Sequence, residues 1–243
     1  MKQRIFAHRG ACAYAPENTL EAFDLAVRMG AHGVELDAHL SRDGEVMVTH
    51  DERIDRVSDG TGAVQDLTLK ELKAFRFNRP HPEYADARIP TLKEVFQLLK
   101  PTGLHINIEL KNSWNPYPGL EEKVIDLIGK EFSPERIIFS SFNHASMVKV
   151  KQIDPSLCCG LLYDASMVRP WIYAQALGVD ALHPNYAEVL IPGGECAAAH
   201  KAGILVHPWT VNNPGHIRAM LREGADIVIT NVPDVALQCL AEI

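Results

Sequence analysis

Gly33-Val34-Glu35-Leu36-Asp37-Ala38-His39 decides how the rest of the chain is read. In an extended strand, residues two apart share a face, so Glu35 and Asp37 point one way while Val34, Leu36 and Ala38 point the other. A second stretch repeats the pattern. Ile106-Asn107-Ile108-Glu109-Leu110-Lys111 puts Asn107, Glu109 and Lys111 opposite Ile106, Ile108 and Leu110. Three acids therefore converge on one side of a sheet whose other side is apolar.

Outward from these two stretches, strand-like apolar runs alternate with helix-period runs along the chain. Strands are predicted at 4–8, 33–39, 104–110, 136–140, 157–162, 180–183, 203–208 and 226–230, and helices at about 18–29, 119–130, 143–152, 168–177, 188–201, 214–223 and 233–241. Eight strands in such alternation predict an α/β fold, a TIM (β/α)8 barrel, because open doubly wound sheets more often use fewer. Helix starts agree: Asn18-x-x-Glu21 and Thr91-x-x-Glu94 both fit capping boxes, and Leu20, Phe23 and Val27 follow the first as a buried stripe. Helix ends agree too, since Gly30, Gly178, Gly203 and Gly224 fall where a chain must leave a helix. The whole of 1–243 is expected to form a single barrel domain.

One stretch breaks the rhythm. An insertion of about 51–103 is expected after the second strand, containing Asp51 to Gly62, then Arg76 to Pro82, then a helix at about 92–99. It leaves from the carboxyl side of its strand, where the active sites of such barrels lie, and is expected to overhang the entrance.

Composition narrows the function classes. The chain has 243 residues, 47% of them hydrophobic and 23% charged, with a formal net charge of -7. That balance excludes the broad basic surface of a nucleic-acid binder, so an anionic substrate would need a local positive patch. Five cysteines show no C-x-x-C pair and no zinc spacing and read as reduced thiols. Met1-Lys2-Gln3-Arg4 passes directly into strand-like sequence without a signal-peptide core, and no apolar run of about 18 residues could span a bilayer. No membrane insertion is expected, and a cytoplasmic location is the default.

Three carboxylates cannot share a confined site without strong repulsion unless protons or a cation neutralise them. Glu35, Asp37 and Glu109 offer only oxygens, which favours Mg²⁺ or Ca²⁺, with Mn²⁺ as a further choice, over zinc. The alternative, a buried ion network with Arg9 and Lys111, is a costly way to stabilise a fold. His8 closes the first strand, and His50 closes the short Val46-Met47-Val48-Thr49 run. Beside carboxylates, two histidines suit proton transfer in phosphate ester cleavage. Arg9 and Lys111 suit phosphoryl oxygens. The other nine histidines are read as structural or solvent-facing, and Trp209 as a flank for the substrate or a core residue.

Taken together, the motifs resemble the glycerophosphodiester phosphodiesterase family over essentially the whole chain, most closely its compact cytoplasmic bacterial members. The stretches that carry the resemblance are His8-Arg9-Gly10, Pro16-Glu17-Asn18-Thr19, Glu35-x-Asp37, His50-Asp51, Ile89-Pro90-Thr91-Leu92, Asn107-Ile108-Glu109-Leu110-Lys111, Ser140-Ser141-Phe142 and Trp209-Thr210-Val211-Asn212. The resemblance implies metal-dependent hydrolysis of small glycerophosphodiesters to sn-glycerol 3-phosphate and an alcohol. It implies Glu35, Asp37 and Glu109 as metal ligands, His8 and His50 as the acid-base pair with His8 as acceptor, and Arg9 and Lys111 as phosphate contacts. It also implies a two-step course, in which a glycerol hydroxyl attacks phosphorus and water opens the cyclic product. Rival readings are a related barrel phosphodiesterase acting on lysophospholipids (phospholipase D-like), a two-carboxylate glycosidase, and a non-catalytic binding protein. Two positions depart from the family pattern: Thr230-Asn231-Val232-Pro233 where many members have Thr-Asp-x-Pro, and Arg56-Val57-Ser58 where Arg-Thr-Thr is frequent. Both are expected to lie away from the residues that touch metal and phosphate.

Overall fold

The structure, a computed structural model, describes residues 3–190 and 195–243. The strands are β1 (Arg4–His8), β2 (Gly33–Leu40), β3 (Val46–Val48), β4 (His105–Leu110), β5 (Ile137–Ser141), β6 (Cys158–Tyr163), β7 (Ala181–Pro184), β8 (Leu205–Val206) and β9 (Ile227–Thr230). The helices are α1 (Leu20–Arg28), α2 (Leu69–Ala74), α3 (Leu92–Leu99), α4 (Leu120–Glu131), α5 (His144–Ile153), α6 (Pro170–Leu177), α7 (Tyr186–Leu190), α8 (Glu195–Lys201), α9 (Pro214–Glu223) and α10 (Pro233–Ala241).

Eight of the strands run parallel in the order β8-β7-β6-β5-β4-β2-β1-β9, and β3 pairs antiparallel with β2. The seam between β8 and β9 is bridged by backbone bonds from Asp226 N to Val206 O and from Ile229 N to Pro208 O. These close the ring as the TIM barrel that the alternation predicts. Register at the centre matters most for the site, since Glu35 lies beside Asn107 and Asp37 beside Glu109.

The period-2 pattern sorts the strands as read. Val34, Leu36, Ala38, Ile106, Ile108 and Leu110 are buried in the layer between barrel and helices. Phe6, Ile138, Ile227 and Ile229 form a smaller cluster of their own. None of the five cysteines is in a disulfide, and no helix among the described residues is long and apolar enough to cross a membrane.

Several expectations change at element ends. The first helix is capped by Thr19, not Asn18: the Thr19 side chain accepts from Ala22 N, while Asn18 adopts φ 57 and turns elsewhere. The helix buries Ala22, Phe23 and Ala26, with Leu20 and Val27 half-buried at the margin. The Thr91 capping box is present. A short helix at Leu69–Ala74, with its own box on Thr68 and Glu71, was not anticipated. The strand expected at 203–208 shortens to two residues. The helix expected at 188–201 is α7 and α8; its residues 191–194 lie outside the described residues.

The segment after β3 is an excursion with its own small core of Met47, Ile54, Val57, Val64, Leu72, Phe77 and Ile89. Its last helix, α3, packs against α1 and α4 as the barrel's ordinary crossover between β2 and β4, so that part of the expected insertion belongs to the regular ring.

Candidate active site

β1 ends at His8, and the chain turns sharply through Arg9 and Gly10, at φ 53 and 79. A side chain at Gly10 would put its Cβ 2.6 Å from the Ala22 backbone, so glycine is required for the loop to lie against α1. The turn aims Arg9 N at Glu35 Oε2 (2.9 Å) and its guanidinium at Glu17 Oε1 (Nη1, 3.0 Å). Arg9 O in turn accepts from Asn18 N. Non-glycine residues held at positive φ are uncommon and tend to gather where the surrounding structure over-determines them.

β2 contributes Glu35 and Asp37, and β4 contributes Glu109 with Lys111 just beyond it. One oxygen from each of the three carboxylates lies within 4.8 Å of the others. Asn18 Nδ2 donates to Asp37 Oδ2 at 2.8 Å. Lys111 Nζ bonds Glu109 Oε1 at 2.9 Å and stands 3.7 Å from Asp37 Oδ1. That Asp37 oxygen is buried and has no hydrogen-bond partner. A buried carboxylate oxygen without a donor, between two further carboxylates, fits a hard divalent cation with oxygen ligands.

The charges respond to one another. Burial, together with Asp37 and Glu109, pushes the Glu35 carboxyl well above its ordinary range, and burial with Asp37 raises Glu109. Burial alone would raise Asp37 too, but His50, Arg9, Lys111 and the Asn18 bond outweigh it and hold that carboxyl below the usual range. One carboxylate is thus stabilised by its cations, while the charged forms of the two beside it are disfavoured, a cost that a further positive charge would relieve.

The two histidines approach from different sides. His8 Nδ1 is 2.7 Å from Asn231 Oδ1, a carbonyl acceptor, so Nδ1 carries the proton and Nε2 faces the acids, 3.8 Å from Glu35 Oε2. Burial, reinforced by the Arg9 guanidinium, pushes His8 down to about 3 and keeps the ring neutral. His50 Nδ1 donates to Asp51 Oδ1 at 2.7 Å, and His39 Nε2 contacts the His50 carbonyl.

Behind Asp51 stands Arg56, whose Nε meets Asp51 Oδ2 at 2.7 Å and whose two terminal nitrogens take both oxygens of Glu17 at 2.8 Å. A line of ion pairs therefore runs from His50 through Asp51, Arg56 and Glu17 to Arg9. The stretches at 230–233 and 56–58 were expected to lie away from the residues that touch metal and phosphate. Asn231 touches His8, because β9 closes beside β1, and Arg56 ties together the supports of His50 and Arg9.

Two connected spaces open here. An inner recess of about 50 Å³ is bordered by His8, Glu35, Asn107, Ser140 and Trp209. An outer cavity of about 570 Å³ carries Glu52, Trp114 and Phe142. His50, Glu109, Lys111 and Phe142 border both. Asn107 Nδ2 bonds Ser140 Oγ, and Asn107 Oδ1 is buried without a partner. The Trp209 ring contacts Phe142 edge-on at 5.7 Å, and its Nε1 donates to His183 O.

All eight residues singled out from the sequence meet at this mouth. Glu17, Asn18, Asp51, Arg56 and Asn231 were not assigned there. Glu17, Asn18 and Asp51 lay within quoted motifs, and Asn231 and Arg56 within the two stretches that depart from the family pattern; the contacts of these two form across the barrel's closure or through the excursion.

The chain matches the Glycerophosphoryl diester phosphodiesterase family over residues 8–235. A relative from Caldanaerobacter subterraneus subsp. tengcongensis, named glycerophosphodiester phosphodiesterase, is 41% identical over 238 residues, covering 98% of this chain and 97% of its own. One of the same name from Bacillus subtilis is 36% identical, covering 94% of this chain and 83% of its own. Among solved structures, an Oleispira antarctica phosphodiesterase in complex with the product sn-glycerol-3-phosphate superposes with a TM-score of 0.89 at 28% identity, over 98% of this chain and 96% of the other. The glycerophosphodiester phosphodiesterase of Thermotoga maritima gives 0.79 at 31%, over 98% and 97%.

Proposed function

Because the chain belongs to the glycerophosphoryl diester phosphodiesterase family, we propose that its barrel mouth hydrolyses glycerophosphodiesters to sn-glycerol 3-phosphate and an alcohol, with Glu35, Asp37 and Glu109 holding a divalent cation. The observation that carries this reading is the meeting of three carboxylates, one with an unpartnered buried oxygen, between two histidines that each have Nδ1 engaged.

Arg9 is anchored through Nη1 to Glu17, and Lys111 lies beside Glu109, so the two cations flank the position where a phosphate would sit. Their charge favours the phosphoryl oxygens as negative charge grows towards the transition state. A bound Mg²⁺, Ca²⁺ or Mn²⁺ would offset the carboxylates' mutual repulsion and polarise the phosphoryl group as a Lewis acid. Asn107 Oδ1, buried and without a partner, can accept from a glycerol hydroxyl in the inner recess.

His8, neutral and with its Nε2 lone pair towards the recess, takes the proton from the glycerol hydroxyl that attacks phosphorus. His50, oriented by Asp51, gives a proton to the departing alcohol oxygen. In the second half the roles reverse: His50 accepts a proton from the attacking water, and His8 returns its own to the glycerol oxygen as the cyclic ester opens. Trp209 flanks the recess and closes one wall around the substrate.

The test is activity on glycerophosphocholine and glycerophosphoethanolamine in excess chelator and after adding Mg²⁺, Ca²⁺ or Mn²⁺, with the thermal midpoint followed in parallel. Activity should vanish and return, and the cation should raise the midpoint, because a ligand bound only by the folded state stabilises it. Full turnover in chelator would remove the metal from the reading. Lysophosphatidylcholine assayed beside glycerophosphocholine separates the lysophospholipid alternative.

A further inference from the structure

Resting on the reading above, the geometry points to the outer cavity as a subsite for a cationic head-group alcohol, with Glu52, Trp114 and Phe142 as its walls. The departing oxygen must lie within reach of His50, and His50 borders both the inner recess and the outer cavity. If the glycerol phosphate fills the recess, the alcohol beyond that oxygen extends into the 570 Å³ space.

The chemistry of that space is uneven. Lys111 and Glu109 border it, but they are paired with each other and with the inner cluster. Glu52 is half-buried and makes no ion pair or side-chain hydrogen bond among the described residues, so its carboxylate is available to a positive group in the cavity. Across the same cavity stand two aromatic side chains that the fold leaves uncovered: Trp114 is 87% exposed and Phe142 41%.

Trp114 is almost wholly uncovered, and Phe142 meets the Trp209 ring edge-on, so both leave ring surface open to the cavity. Their π faces attract a desolvated cation, and quaternary ammonium groups are recognised in this way. An unpaired carboxylate beside those faces adds attraction for a positive head group and repels an anionic one. A neutral polyol gains neither effect. The cavity therefore suits an ammonium alcohol such as choline or ethanolamine better than glycerol or inositol.

The experiment compares kcat/KM on glycerophosphocholine and glycerophosphoglycerol with the metal-loaded wild type, Trp114→Ala, Trp114→Phe and Glu52→Gln. The wild type should prefer the choline diester. Trp114→Ala and Glu52→Gln should each lower that preference about three- to tenfold, chiefly through KM, and Trp114→Phe should retain most of it. Free choline should inhibit more strongly than its uncharged carbon isostere, a binding readout that does not depend on turnover. Equal kcat/KM for the two diesters, or equal inhibition by the two alcohols, overturns the subsite and leaves the proposed hydrolysis standing. Failure of the wild type to hydrolyse either diester overturns the hydrolysis itself, and the subsite with it.

Discussion

Two pairs of histidines on this barrel live in different media. At the mouth, His8 and His50 each give Nδ1 to an oxygen acceptor, Asn231 or Asp51, and stand among carboxylates and cations at the edge of an open space. Deeper in, His183 and His207 are fully buried and contact each other, Nδ1 of His207 lying 2.9 Å from Nε2 of His183. The remaining nitrogens of the deep pair, His183 Nδ1 and His207 Nε2, have no partner. The His183 ring occupies the volume that a side chain at Gly160 would need, 2.2 Å from where its Cβ would be. The residue type is the same and the consequence differs. Acceptors that orient a ring, together with nearby carboxylates, turn a histidine towards proton transfer, while burial against another ring with no oxygen acceptor makes it part of the core.

Removing the mouth rings separates the two pairs most sharply. His8→Ala and His50→Ala should each lower kcat by about 10² to 10⁴ while circular dichroism and the thermal midpoint stay near those of the parent, because a positioned acid or base contributes that much per proton transfer. His183→Ala should do the reverse, lowering stability by about 1–3 kcal/mol through a cavity beside Gly160, with kcat of the folded protein changed far less. Comparable kcat losses at His183 and His8 would break the distinction.

Acid should expose the deep pair. Burial pushes His183 from its ordinary 6.5 down to about 3, and burial, His183 and Arg4 together hold His207 well below 6.5. The unfolded chain takes up protons at both rings below pH 6.5, whereas in the folded chain His183 does not until near 3 and burial, His183 and Arg4 oppose protonation of His207. Over that window the unfolded state binds more protons, so stability falls as pH falls, by about 1.4 kcal/mol per pH unit for each such ring at the limit. Denaturant midpoints between pH 7 and 4 should show a slope that His207→Gln makes shallower. An unchanged slope would mean that carboxylates alone set the acid response.

The same contrast explains what could be read before the structure. Glu35, Asp37 and Glu109 were legible because a two-residue period separates acids from Val34, Leu36, Ile106 and Ile108 within a single strand, and the barrel keeps that register. His8 and His50 were legible as strand-end residues. Asn18 was misread because its sequence pattern is that of a cap, and only its φ of 57 reveals that the side chain turns to Asp37. Arg56 works through Asp51 and Glu17, which the excursion brings together, and no periodicity reports on such a contact. The Leu69–Ala74 helix was missed because six residues carry too little of a 3.6 period, although Thr68-x-x-Glu71 marks its start. His183 and His207 were read among the nine histidines taken as structural or solvent-facing, and both lie buried against each other.

Asn231 gives the finest division between the pairs, since it makes His8 resemble His50 in having an oriented Nδ1. It lies 223 positions from His8 in the chain and reaches it only because β9 pairs with β1. If the side chain matters as an acceptor for Nδ1–H, Asn231→Asp keeps that function and should hold kcat within about threefold, whereas Asn231→Leu, similar in size but with no acceptor, should lose about tenfold or more. The loss should appear in kcat more than in KM, because a ring free to rotate or to place its proton on Nε2 can no longer accept one there. The reverse order, with Asp more damaging than Leu, would mean that neutrality at this position outweighs the hydrogen bond. In that case His8 would be kept reactive, like the deep pair kept inert, by the absence of a negative charge behind it.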